Sequence, residues 1–146
     1  MPVPDSPRQP LLTAAELNAY LAEIFPRAAS FGTVEAVGPM TARARAVITD
    51  QHLRPGGTVS GPTLFTLADT AFYVATMAMI GRQALTVTTS LNINFLSKPP
   101  AADLVGHARI LKLGRLLSVG EVTLWSDGRT DGPVAHASVT YAIPGS

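Results

Sequence analysis

Between Gly61 and Ile80 the chain carries one charged residue, Asp69, in a segment where Leu64, Phe65, Leu67, Ala68, Ala71, Phe72, Val74, Ala75, Met77 and Met79 leave almost no polar side. Ser60-Gly61-Pro62 ahead of it reads as a helix start, with proline in the first turn, where a missing N–H removes no helical bond. A helix that is apolar on nearly every side has to be buried on nearly every side. The rest of the chain must therefore surround it.

The residues after Gly81 supply the wrapping. Leu85, Val87, Thr89, Leu91, Ile93 and Phe95 alternate with Thr86, Thr88, Ser90, Asn92 and Asn94, the period-two pattern of a long strand. Three further strand-like runs follow at about residues 103–113, 116–125 and 134–143. They are separated by Gly114-Arg115 and by Ser126-Asp-Gly-Arg-Thr-Asp-Gly, both of which carry hairpin chemistry. Upstream, Thr13-Ala-Ala-Glu16 is a capping box before Leu17, Tyr20, Leu21 and Ile24 at helical spacing, so a short helix should end near Pro26. Residues 31–37 and 41–48 read as two strands around a Gly38-Pro39 turn.

The order is helix, two strands, buried helix, four strands. This predicts an α+β fold in which a mostly antiparallel sheet of about six strands curls around one long central helix, with a short N-terminal helix beside it. In outline that is the hotdog architecture. Residues 1–10, with four prolines, read as a flexible arm, and residues 11–146 as one domain without repeats or composition breaks. One small sheet leaves edges and a face to cover, so a homodimer or a dimer of dimers is expected.

Composition narrows the function classes. Ten acidic residues against eleven Lys plus Arg give a net charge of +1, which argues against nucleic acid as a partner. An anionic ligand must be held locally. The absence of cysteine excludes disulfides, thiolate metal sites and a Cys nucleophile. The longest apolar run, residues 71–81 between Asp69 and Arg82, is far below the roughly 20 residues of a membrane-spanning helix. The N-terminal residues lack the apolar core of a secretory signal, so a cytoplasmic protein that does not enter membranes is expected.

From Pro55 to Ser97 only Asp69 and Arg82 are charged, and Asp69 sits inside the most apolar helix of the chain. A carboxylate is costly to bury there. It serves either as a structural polar group, at a subunit interface or bonded to nearby backbone and hydroxyls, or as a general base or nucleophile. Desolvation favours the second use, because it makes a carboxylate more basic, and the helix start one or two turns earlier offers unpaired N–H groups to a carbonyl oxygen. Together the two features suggest acyl-group hydrolysis.

Other constellations are weaker. In Gly57-Thr-Val-Ser60-Gly61 the serine falls one place late for a serine-hydrolase elbow, so Ser60 reads as a helix cap. His52, His107 and His136 show no metal-ligand spacing, and no metal is expected. The glycines near residue 57 form a turn, not a nucleotide-binding loop.

At this stretch the sequence resembles the PaaI-like, or YdiI-like, acyl-CoA thioesterases of the hotdog superfamily, over most of the chain. The family carries an Asn, a Gly, then His-Gly-Gly and, after six residues, an acidic residue. Arg54-Pro-Gly-Gly57-Thr-Val-Ser60-Gly61-Pro62 occupies that stretch here, and Thr66-Leu67-Ala68-Asp69 brings the acid at the matching distance. The resemblance implies hydrolysis of an acyl-CoA to free acid and CoA, with an aryl or a short to medium acyl group. It also implies Asp69 as base or nucleophile, the Gly61 N–H polarising the thioester carbonyl, and Thr88 on the following strand holding the attacking water.

It further implies a site between two subunits and no cofactor beyond the coenzyme A of the substrate. The family Asn is replaced by Arg54, the His by Ser60 and the second Gly by Pro62. Arg54 either binds a ligand carboxylate, phosphate or carbonyl or is a solvated loop residue. Ser60, Pro62 and Phe72 are expected to line the substrate site. The alternatives are a non-catalytic acyl-thioester-binding module and a hotdog enoyl-CoA hydratase or dehydratase, which needs an Asp and His pair.

Overall fold

The structure, a computed structural model, describes residues 8–27 and 32–145. Most of the expected N-terminal arm and the expected first strand residue, Phe31, lie outside them. The elements are α1 (Ala14–Ile24), β1 (Thr33–Gly38), β2 (Thr41–Ala46), a 3-10 turn (Asp50–His52), α2 (Gly61–Ile80), β3 (Val87–Phe95), β4 (Leu104–Leu113), β5 (Leu117–Ser126) and β6 (Ala135–Ala142). The six strands form one antiparallel sheet in the order β1-β2-β4-β5-β6-β3. This is the hotdog fold read from the sequence, with the long helix against the sheet and the short one beside it.

The sheet can close over α2 because its inner face is lined with small residues. Ala42 and Ala44 of β2, Gly106 and Ala108 of β4, Gly120 of β5, and Ala135 and Ala137 of β6 alternate with larger apolar groups. Gly120 marks the closest approach: a Cβ there would collide with the Arg109 carbonyl oxygen and lie 2.7 Å from Phe72 Cε1. The second half of α2, from Ala71 to Met79, is buried throughout. By length and composition α2 could cross a bilayer, but 67% of its apolar window is buried inside the protein.

At its start, the Ser60 hydroxyl accepts a long bond from the Thr63 N–H at 3.4 Å and pairs with the Thr63 hydroxyl at 2.9 Å. α1 carries the expected capping box, with Thr13 N–H to Glu16 Oε1 at 3.0 Å and Glu16 N–H to Thr13 Oγ1 at 3.1 Å. Its Asn18 amide pairs with both backbone groups of Val34, at 2.8 and 2.9 Å, and so occupies part of the β1 edge.

Two expectations about strands need correction. The strand expected from Leu85 begins at Val87, because residues 83–86 make a turn closed by Thr86 N–H to the Gln83 carbonyl at 3.0 Å. The strict alternation also breaks. Thr88 pairs with Tyr141, Ser90 with Thr140 and Leu91 with Val139, so a bulge at Thr89 shifts the register. Thr88 therefore shares the inner face with Leu91, three residues on, which a regular strand forbids.

Candidate active site

Helical spacing along α2 builds one wall of a cavity of about 480 Å³. Phe65, Thr66, Asp69, Thr70 and Tyr73 recur at three- and four-residue intervals, so they share a face. α1 adds Leu21 and Phe25, the turn and start of β3 add Ala84, Thr86, Val87 and Thr88, and β6 adds Tyr141. The lining is mostly apolar and aromatic, with a few hydroxyls and one carboxylate, the usual make-up of a small-molecule site.

Asp69 is half-buried here. Thr88 donates its hydroxyl to Asp69 Oδ1 at 2.7 Å, and Tyr141 donates its phenol to the same oxygen at 2.6 Å while lying 3.0 Å from the Asp69 backbone carbonyl. Among the described residues nothing donates to Oδ2. The carboxylate is thus anchored through one oxygen and leaves the other for chemistry. Burial first, and then the charge and hydrogen bond of Asp69, push the Tyr141 phenol well above the ordinary tyrosine range, so it remains a protonated donor. Burial likewise pushes Tyr73 up to about 12.

The expected site residues separate into four places. Asp69 and Thr88 meet in the cavity. Ser60 and Pro62 line a second recess of about 260 Å³ with Ala46, Gln51, His52, Thr63, Thr66 and Leu67. Ser60 is committed to capping the helix, and its own N–H donates to the His52 carbonyl at 2.8 Å. Gly61, between them, presents an N–H with no acceptor among the described residues, and the Phe95 ring packs so close that a Cβ at 61 would lie 3.3 Å from it. Arg54 stands exposed on the loop before α2, where among the described residues only its backbone is bonded, to Thr58 and Gly57.

Phe72 does not line the cavity. It is fully buried one step round α2 from Asp69, where the helix turns towards the sheet, against Gly120 and 5.7 Å from the Tyr141 ring, so it packs behind the cavity wall instead of forming it. Sequence reasoning missed Tyr141. Its signal was a hydroxyl on the inward row Ala135, Ala137, Val139, Tyr141, otherwise wholly apolar. The loop folds His52 back beside the helix start: Leu53 bridges to Val59, and Thr49 N–H donates to the His52 Nδ1 at 2.9 Å.

Residues 56–133 match the model of the thioesterase superfamily. Among solved structures, a candidate thioesterase from Silicibacter sp. TM1040 is 43% identical, with 94% of this chain and 95% of that one covered at a TM-score of 0.86. A candidate thioesterase described as phenylacetic acid degradation-related, from Ralstonia eutropha JMP134, is 28% identical over 84% of this chain and 89% of that one, at 0.70. The phenylacetic acid degradation protein PaaI of Thermus thermophilus, in a mutant form, shares the fold at 24% identity, with coverage of 77% and 93% and a TM-score of 0.67. No curated protein sequence matches.

Proposed function

Since the chain belongs to the thioesterase superfamily, as a PaaI-like hotdog protein whose chemistry is thioester hydrolysis, we propose that its substrate is an acyl-CoA and that Asp69 is the carboxylate that drives the reaction. The acyl group is aryl or short to medium in length, in keeping with an apolar cavity walled by Phe25, Phe65 and Tyr73. The observation that carries this reading is the one-sided bonding of Asp69. Two hydroxyls hold Oδ1, and among the described residues nothing is bonded to Oδ2 beside the cavity.

Oδ2 takes a proton from water as the water oxygen attacks the thioester carbonyl carbon. The tetrahedral intermediate collapses with cleavage of the C–S bond, and the proton passes to the departing thiolate, which restores the carboxylate. The covalent variant, in which Oδ2 itself attacks and water cleaves the resulting anhydride, uses the same atom. A thioester is already activated and its thiolate leaves readily, so no cofactor enters the proposal.

The carbonyl oxygen is placed against the Gly61 N–H, at the positive end of α2. Gly61 and Asp69 are eight residues apart, about 12 Å along a helix axis, so the two groups of one chain cannot meet at one carbonyl. The site therefore combines Asp69 of one subunit with Gly61 of another, which requires a homodimer or a dimer of dimers. β3, at the end of the sheet next to β6, has no second strand partner among the described residues and offers an edge for that association. The proposal places the protein in the cytoplasm, in keeping with a CoA thioester substrate, and neither nucleic acid nor membrane has a part in it.

Arg54 is retained as a group for a CoA phosphate, since its exposed guanidinium has no partner among the described residues. The competing reading is a binding module that does not turn over, favoured by Pro62, which leaves Gly61 as a solitary donor at the helix start. The test is release of free thiol from a panel of aryl-CoA and short- to long-chain acyl-CoA substrates, with wild type and Asp69→Asn side by side. Turnover that disappears in the variant supports the proposal. Absence of turnover by assembled wild type would favour the binding module, and hydration of an enoyl-CoA would favour the hydratase.

A further inference from the structure

Tyr141 belongs to none of the sequence patterns above, yet it makes the shortest bond to the carboxylate. We propose that Tyr141 is a positioning residue for the hydrolysis: with Thr88 it fixes Oδ1 of Asp69 to the protein, so that Oδ2 alone is presented to water or to the thioester carbon. This rests on reading Asp69 as the catalytic carboxylate.

A carboxylate turns easily about its Cβ–Cγ bond, and its two oxygens are equivalent until something distinguishes them. Both hydroxyls choose the same oxygen, at 2.6 and 2.7 Å. They are not equal anchors. Thr88 is exposed on β3, an edge strand. Tyr141 is 3% exposed, on a strand flanked by β5 and β3, and its ring is held by Phe72 at 5.7 Å and Tyr73 at 5.9 Å.

Its hydroxyl also lies 3.0 Å from the Asp69 backbone carbonyl, so its single proton, given chiefly to Oδ1, sits against the helix turn that carries the side chain. Burial, and then the charge of Asp69, hold the phenol above the ordinary tyrosine range, so Tyr141 acts here as a hydrogen-bond donor. Its effect runs entirely through the orientation of Asp69, where small displacements cost large factors in rate.

Tyr141→Phe keeps the ring and its packing and removes only the donor. Expected is a kcat lower by about tenfold or more with KM within about twofold, measured by thiol release. In the Asp69→Asn background, where slow residual turnover is followed, the same change should cause no further loss, since its route is gone. Four results would overturn the proposal: an unchanged kcat, a KM effect alone, an equal proportional loss in the Asp69→Asn background, or a Tyr141→Phe chain that does not fold, which would make the hydroxyl structural. Full turnover in Asp69→Asn alone would sink the underlying assignment. A dead Asp69→Asn beside a normal Tyr141→Phe would sink only this one.

Discussion

The middle and the start of α2 are one helix with two kinds of preparation. At the middle, a single protomer assembles nearly everything: Asp69, a hydroxyl from β3, a hydroxyl from β6 and a cavity of about 480 Å³. At the start there is one unbonded N–H at Gly61, a proline that cannot donate, and a serine spent on the cap. On the proposed reading the base is built and the carbonyl site is a fragment. With about 12 Å of rigid helix between them, the two groups of one chain cannot converge on a single thioester carbonyl, so that reading draws what the start lacks from a second subunit.

The sharpest way to break that contrast is at the middle. Asp69→Asn should lower kcat/KM by about three orders of magnitude and leave the thermal midpoint nearly unchanged, because the asparagine oxygen still accepts from Thr88 and Tyr141. A thiol-release assay beside a melting curve checks both halves. At the start, Gly61→Pro removes the free N–H. The preceding Ser60, at φ −73° and ψ 153°, already has the backbone a following proline requires. The expected loss is about a hundredfold in kcat, the size of one oxyanion donor. No helical bond is lost at a first-turn N–H, but the Phe95 ring, 3.3 Å from a Cβ at 61, must shift, so a modest drop in the thermal midpoint is expected beside it.

Mixing the two inactive chains then separates one-subunit from two-subunit sites. Random pairing makes half the dimers mixed, and each mixed dimer carries one site with both an intact Asp69 and an intact Gly61, so about a quarter of wild-type activity should return. A mixture as inactive as its parts would mean that Asp69 and Gly61 do not serve one site across subunits.

How much of this was legible follows the same contrast. The α2 boundaries, the α1 cap and the order of elements along the chain were readable because each rests on local chemistry: period, capping box and hairpin turns. The order of strands within the sheet was not, since β3 pairs with the distant β6. Asp69 was legible as the one charge in an apolar helix. Phe72 was misplaced because apolar residues all round a helix do not say which side meets the sheet and which the cavity; that is decided by how closely Gly120 lets β5 approach. Thr88 facing Asp69 depends on a bulge at Thr89 that interrupts a regular alternation without any glycine to mark it. Tyr141 is contributed by a strand 72 residues away in sequence, and only tertiary packing brings its hydroxyl to the carboxylate.

The smallest effect concerns Ser60, which stands where the family places a histidine. Its hydroxyl pairs with Thr63 Oγ1 at 2.9 Å and reaches the Thr63 N–H only at 3.4 Å, a weak cap. Ser60→Ala should therefore cost about 0.5–1 kcal/mol, at the lower end for a lost N-cap, and move the midpoint by on the order of 2–4 °C, with kcat and KM unchanged. Calorimetry and steady-state kinetics on one preparation decide it. A stable variant that has lost turnover would show that the serine does chemistry at the helix start, and the contrast between a built middle and a bare start would have to be redrawn.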